Sequence, residues 1–93
     1  MTALSAALHE RVTVRDGEVE QSNFGDYSVL RMSDMPEEIH IAFVPSTSAP
    51  TGLGEISTPC MMPAIANAFY KLTGKRLYHM PFTPERVLAA LKA

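Results

Sequence analysis

The chain has no tryptophan, a single cysteine and no run of like charge. One cysteine, Cys60, excludes an internal disulfide and any multi-cysteine metal or iron–sulfur site built from this chain alone, and leaves the redox compartment open. Charge is nearly balanced, with ten acidic against eight basic residues and a net charge of −2. That excludes the basic footprint expected of a nucleic-acid or anionic-membrane binder, so no nucleic-acid partner is expected. Long apolar runs are also missing. The apolar stretch near the start, Ala3-Leu4-Ser5-Ala6-Ala7-Leu8, is too short to span a membrane and lacks the basic start of a signal peptide. No internal repeat or low-complexity tract is present.

What is there reads as something packed. An apolar share of 46% and a charged share of 19% lie near globular averages and away from disorder. Ninety-three residues suffice for one small domain, or a fragment, over 1–93. A compact chain of that size buries roughly two-thirds of its unfolded surface, so independent folding is marginal.

The pattern predicts an α+β fold. Residues 3–9 read as the last turns of a helix. Residues 11–15 alternate polar and apolar, Asp16-Gly17 is a two-residue hairpin turn, and residues 18–21 return. Residues 22–36 have no period and contain Gly25, Asp26, Ser33, Asp34 and Pro36, which predicts a long loop of the kind that is functional or belongs to a larger fold. Residues 38–44 (EIHIAFV) alternate and then turn apolar, predicting a further strand ended by Pro45. Two C-terminal helices follow. In residues 59–72, Met62, Ile65, Ala66, Phe69 and Leu72 recur at spacings of three and four, with Thr58-Pro59 as N-cap and N1 and Gly74 as the stop. Residues 75–80 suggest a short strand. Thr83-Pro84 repeats the helix-start signature, and the last helix turns Val87, Leu88 and Leu91 inward.

The chemistry-bearing stretch is Thr51-Gly52-Leu53-Gly54-Glu55-Ile56-Ser57. Two glycines permit tight turns and close backbone approach to a ligand, and Glu55 then faces a helix entry. Local chemistry leaves two readings of Glu55. It is a solvated loop carboxylate favoured by the positive helix end, or a positioned base.

Gln21-Ser22-Asn23-Phe24 with Asp26-Tyr27, Arg31-Met32 with Met35-Pro36, Gly54-Glu55, Pro63-Ala64-Ile65-Ala66-Asn67-Ala68 and Thr73-Gly74-Lys75-Arg76 resemble, in that order, the molybdenum hydroxylases. More narrowly, the chain is similar to the C-terminal end of the large, molybdopterin-binding subunit in the isoquinoline 1-oxidoreductase branch of the xanthine dehydrogenase and aldehyde oxidase family. The resemblance runs over nearly the whole chain. It implies oxidative hydroxylation of an aldehyde or N-heterocycle with water as oxygen source, Glu55 being the general base. It implies a molybdenum–molybdopterin cytosine dinucleotide cofactor held mainly by the remainder of the large subunit. It further implies a small subunit carrying 2Fe–2S clusters, and in this branch a c-type cytochrome downstream, in the bacterial cytoplasm or periplasm. Gly54 and Ser57 become candidate cofactor contacts, with turn and capping chemistry as their other reading. The chain departs from the commoner family pattern at Ile56, where proline often follows the glutamate, and at Cys60.

The remaining candidates are weaker. His9, His40 and His79 lack ligand spacing, so no metal site is expected. Cys60 is expected to be a buried structural thiol rather than a nucleophile. Met32, Met35, Met61, Met62 and Met80 read as core or interface filler. Arg31 reads as a surface ion-pair partner, or as a group aimed at cofactor phosphate. A different class of function, a noncatalytic interaction module that self-associates through an exposed apolar face, is the competing expectation.

Overall fold

The computed structural model describes residues 1–93. Its elements are helix α1 (Thr2–Leu8), strands β1 (Val14–Arg15) and β2 (Glu18–Val19), a 3-10 turn at Met32–Asp34, and helices α2 (Thr58–Thr73) and α3 (Pro84–Lys92). A two-stranded antiparallel sheet with three helices is an α+β arrangement, as the sequence pattern predicts.

The hairpin forms because Asp16 and Gly17 both accept positive φ, 51° and 84°, and so match the twist of the strands they join. Val14 faces Val19 and Arg15 faces Glu18. Gln21 closes the base of the hairpin in both directions: its carbonyl accepts from the Thr13 N–H at 2.7 Å, and its amide donates to Thr13 Oγ1 at 2.8 Å.

Helix α2 begins one residue before the expected start. Ser57 is the N-cap, Thr58 and Pro59 being the first two helical residues. No side chain caps this start. The preceding turn satisfies the backbone instead, with the Thr58 N–H on the Glu55 carbonyl at 3.1 Å and the Cys60 N–H on the Ser57 carbonyl at 3.2 Å. The helix continues through Pro63 and stops where expected. Gly74 takes the left-handed conformation at φ 69°, its N–H on the Tyr70 carbonyl at 2.8 Å, while Thr73 Oγ1 bonds back to the Phe69 carbonyl.

What core there is lies around α1. Ala3 and Ala7 have almost no exposed surface, and their small side chains let α1 settle against α2, whose half-buried stripe is Met61, Met62, Ile65, Ala66 and Phe69. Two long-range backbone donors converge on the same short helix. The Phe82 N–H reaches the Ala7 carbonyl at 2.7 Å, and the Leu30 N–H reaches the buried Ser5 hydroxyl at 2.9 Å. These two bonds tie the long loop and the α2–α3 connection to one centre.

Several expectations are corrected. Residues 38–44 and 75–80 are in no sheet, because no strand lies alongside to pair with them. Leu72, Leu88 and Leu91 are exposed, since no element covers the end of α2 or the flank of α3. Cys60 is exposed rather than buried. Met32 and Met80 are exposed, while Met35, Met61 and Met62 are less so. Arg31 makes no ion pair; its backbone N–H donates a long bond to the Asp34 carboxylate at 3.3 Å.

The molecule is open. Its accessible surface is 7940 Å² for 10.2 kDa, against about 5300 Å² for a compact protein of that mass. Its radius of gyration, 16.4 Å, likewise exceeds the ~12 Å of a compact chain of this length.

Candidate functional site

The Glu55 loop is built from its two ends. Upstream, no backbone N–H or C=O from Pro36 to Gly54 has a backbone partner, so the loop is approached by a segment with an unpaired main chain. Downstream, Glu55 is the first residue of the turn that starts α2. The Glu55 main chain is therefore tied to the start of α2, while its carboxylate is left unheld. Its side chain is exposed and makes no hydrogen bond or ion pair within the chain. A carboxylate without an internal partner keeps its acceptor capacity for something outside.

Gly54 and Ser57 flank it, both exposed. A side chain at Gly52 or Gly54 would meet nothing within 4 Å, and neither glycine needs positive φ. Their smallness is thus not required by this chain's own packing. The Ser57 hydroxyl caps no helix N–H. The three residues stand together on one loop because they are neighbours in sequence, and no second segment of the chain closes over them.

The residues Gln21, Ser22, Asn23, Asp26 and Tyr27 hold local structure. The Asp26 carboxylate accepts the Ser22 and Asn23 N–H groups at 3.0–3.1 Å and the Ser22 hydroxyl at 3.1 Å. Those bonds, the Asn23 N–H first, hold its carboxyl below the usual range. Tyr27 donates its hydroxyl to Glu10 Oε2 at 2.8 Å, which raises the phenol above its ordinary value. The Glu10–Tyr27 pair was invisible to sequence reasoning, since seventeen residues separate the partners without a pattern. The Asp26 turn was legible in principle from a serine followed four residues later by aspartate.

A cleft of about 630 Å³ lies elsewhere, between residues 74–79 and α3, with Arg76, Tyr78, His79 and Arg86 on its wall. Arg76 is held over the Tyr70 ring at 3.9 Å. None of Gly54, Glu55 and Ser57 lines that cleft. No three His, Cys, Asp or Glu residues stand close enough to hold a metal ion.

Comparison with known proteins supplies the context this loop lacks. No family model matches the chain. It is 44% identical over 89 residues to the beta chain of isoquinoline 1-oxidoreductase from Brevundimonas diminuta. It is 43% identical over 89 residues to a membrane-bound aldehyde dehydrogenase of Gluconacetobacter polyoxogenes, whose name specifies pyrroloquinoline quinone. A nicotinate dehydrogenase component of Pseudomonas putida is 35% identical over 88 residues. These alignments take in 96%, 96% and 94% of the chain, yet the chain spans only 11%, 11% and 7% of the respective relatives. The chain belongs to the molybdenum hydroxylases of the xanthine dehydrogenase and aldehyde oxidase family.

Proposed function

We propose that this segment supplies Glu55 as the general base of a molybdenum-dependent oxidoreductase that hydroxylates an aldehyde or N-heterocycle with water as oxygen source. The observation that carries the reading is a free, exposed carboxylate on a two-glycine loop tied directly to α2, in a chain of this family. The relatives' names, an aldehyde dehydrogenase, an isoquinoline 1-oxidoreductase and a nicotinate dehydrogenase, support both halves of that substrate class.

The donor set fits a supporting role beside a cofactor and not a cradle around one. The cofactor, molybdenum with molybdopterin cytosine dinucleotide, supplies the centre that accepts two electrons when bound in the whole subunit. A Glu55 carboxylate oxygen takes the proton from the attacking oxygen, which requires a separation of about 2.6–3.2 Å in the assembled site. Gly54 lets the backbone come close where a side chain would stand in the way, and Ser57 offers a hydroxyl with no capping duty. The remainder of the large subunit holds the cofactor. A 2Fe–2S small subunit takes the electrons, and a c-type cytochrome receives them further on.

The test is assembly of this chain with the remainder of the large subunit and the iron–sulfur subunit, followed by metal analysis and turnover. Molybdenum in the assembly, with kcat lowered by about 10²–10⁴ in Glu55→Gln and metal content unchanged, is the expected result. Full turnover in Glu55→Gln would remove the base from Glu55. A quinone in place of molybdenum, as the name of the Gluconacetobacter relative suggests for that protein, would replace the cofactor reading. A chain that only self-associates and ignores those subunits would be the noncatalytic module.

A further inference from the structure

Residues 38–44 have the composition of a strand and the surroundings of none. Ile39, Ile41 and Phe43 alternate with His40 and Ala42, and the three large side chains are 53%, 74% and 90% exposed. Adjacent Val44 is 89% exposed. Contiguous apolar exposure of this kind marks an interaction surface. The main chain is equally unpartnered, since no backbone group from Pro36 to Gly54 has a backbone hydrogen bond. Glu38 and His40, two residues apart, nonetheless meet at 3.0 Å, which puts their side chains on one side. In a strand the alternation then places Ile39, Ile41 and Phe43 on the other, an all-apolar face opposite one that is polar at Glu38 and His40 and apolar at Ala42 and Val44. Pro36 and Pro45 bracket it, leaving a segment of roughly 23 Å when extended.

We infer that residues 38–44 form a β-strand that adds to the edge of a sheet in the rest of the large subunit, pairing through the main chain and burying Ile39, Ile41 and Phe43. The occupant follows from size. Strands β1 and β2 have two residues each and are already paired, so this chain holds no sheet edge long enough for seven residues. The chain spans 11% of the length of two of its relatives, so most of the subunit is outside it. The inference rests on the reading of the chain as a segment of that subunit, and deepens it: residues 45–54 join the strand to Glu55, so a docked strand and α2 anchor the loop of the base from both sides.

Hydrogen exchange of the chain alone, and of the chain assembled with the rest of the large subunit and the iron–sulfur subunit, tests it. In the assembly, one alternating set of amides, either 39, 41 and 43 or 40, 42 and 44, gains protection of about 100-fold or more. Ile41→Pro or Ala42→Pro, whichever lies in the protected set, weakens assembly at least about tenfold by removing a ladder donor, whereas Thr47→Pro outside the strand does not. An assembly with molybdenum and turnover in which residues 38–44 exchange freely would overturn the strand and leave the proposed function standing. Protection that arises in the isolated chain as its concentration rises would assign the pairing to two copies of this chain and overturn the inference. Failure to assemble at all would overturn both.

Discussion

Gly54 and Gly74 are the same residue type under different obligations. Gly74 holds φ 69° at the end of α2, a conformation that costs other residues about 1–2 kcal/mol. Gly54 has no such φ and open space around it. Gly74→Ala should therefore lower stability by about 1 kcal/mol in a urea melt. Gly54→Ala should leave the melt unchanged or raise stability by up to about 1 kcal/mol, because only the unfolded chain loses freedom. If Gly54 lies against the cofactor in the assembled enzyme, the same substitution lowers turnover, so stability and activity separate at one position. Asp26 offers a second residue-level test. Its carboxyl lies below its ordinary value of 3.8 because the ionised form accepts the Asn23 and Ser22 N–H groups. The turn is thus fully stabilised above pH 3.8 and loses that support as pH falls through the lowered value. Amide shifts of Ser22 and Asn23 should titrate together with a midpoint below 3.8, and a midpoint at or above it would contradict the assigned bonds.

At the scale of elements, legibility followed whether the cause was local. Asp16-Gly17 fixes the hairpin by its own dihedrals, and Gly74 ends α2 by its own φ, so both were readable in the sequence. Pro84 after Thr83 marked the start of α3 for the same reason. Residues 38–44 and the leucines of α3 were misread only in that their pattern asks for neighbours this chain does not contain. The Glu55 loop was legible as two glycines and a carboxylate before a helix. Its attachment through the Thr58 N–H, and the absence of any internal partner, are set by the path of the chain in space, which no residue pattern carries. Helix α1 shows the opposite case, a weak seven-residue helix made central by tertiary bonds. Ser5→Ala removes the acceptor of the Leu30 N–H and leaves that donor unpaired beside a buried site. A loss of about 1–3 kcal/mol is expected, read as a lower urea midpoint with faster exchange at Leu30.

At the scale of the whole molecule, these element-level mismatches share one physical cause, a shortage of buried surface. An unfolded chain of 10.2 kDa exposes about 14,800 Å², so folding to 7940 Å² hides somewhat under half of it, where a compact protein of that mass hides nearly two-thirds. Large apolar side chains are left exposed in residues 38–44, the loop to Glu55 and the outer faces of α2 and α3, which lead to and from the proposed base, and also at Val14, Phe24, Met32 and Tyr78. Because the denaturant slope follows the surface exposed on unfolding, the isolated chain should unfold in urea with an m-value about three-quarters that of a compact 93-residue domain. Assembly with the rest of the large subunit should erase this separate transition and merge the chain into the unfolding of the whole, with a midpoint that rises with partner concentration. An m-value equal to that of a compact domain would mean that the exposed segments collapse onto the chain in solution. Glu55 would then be held by internal packing, and docking would no longer be what orders its loop.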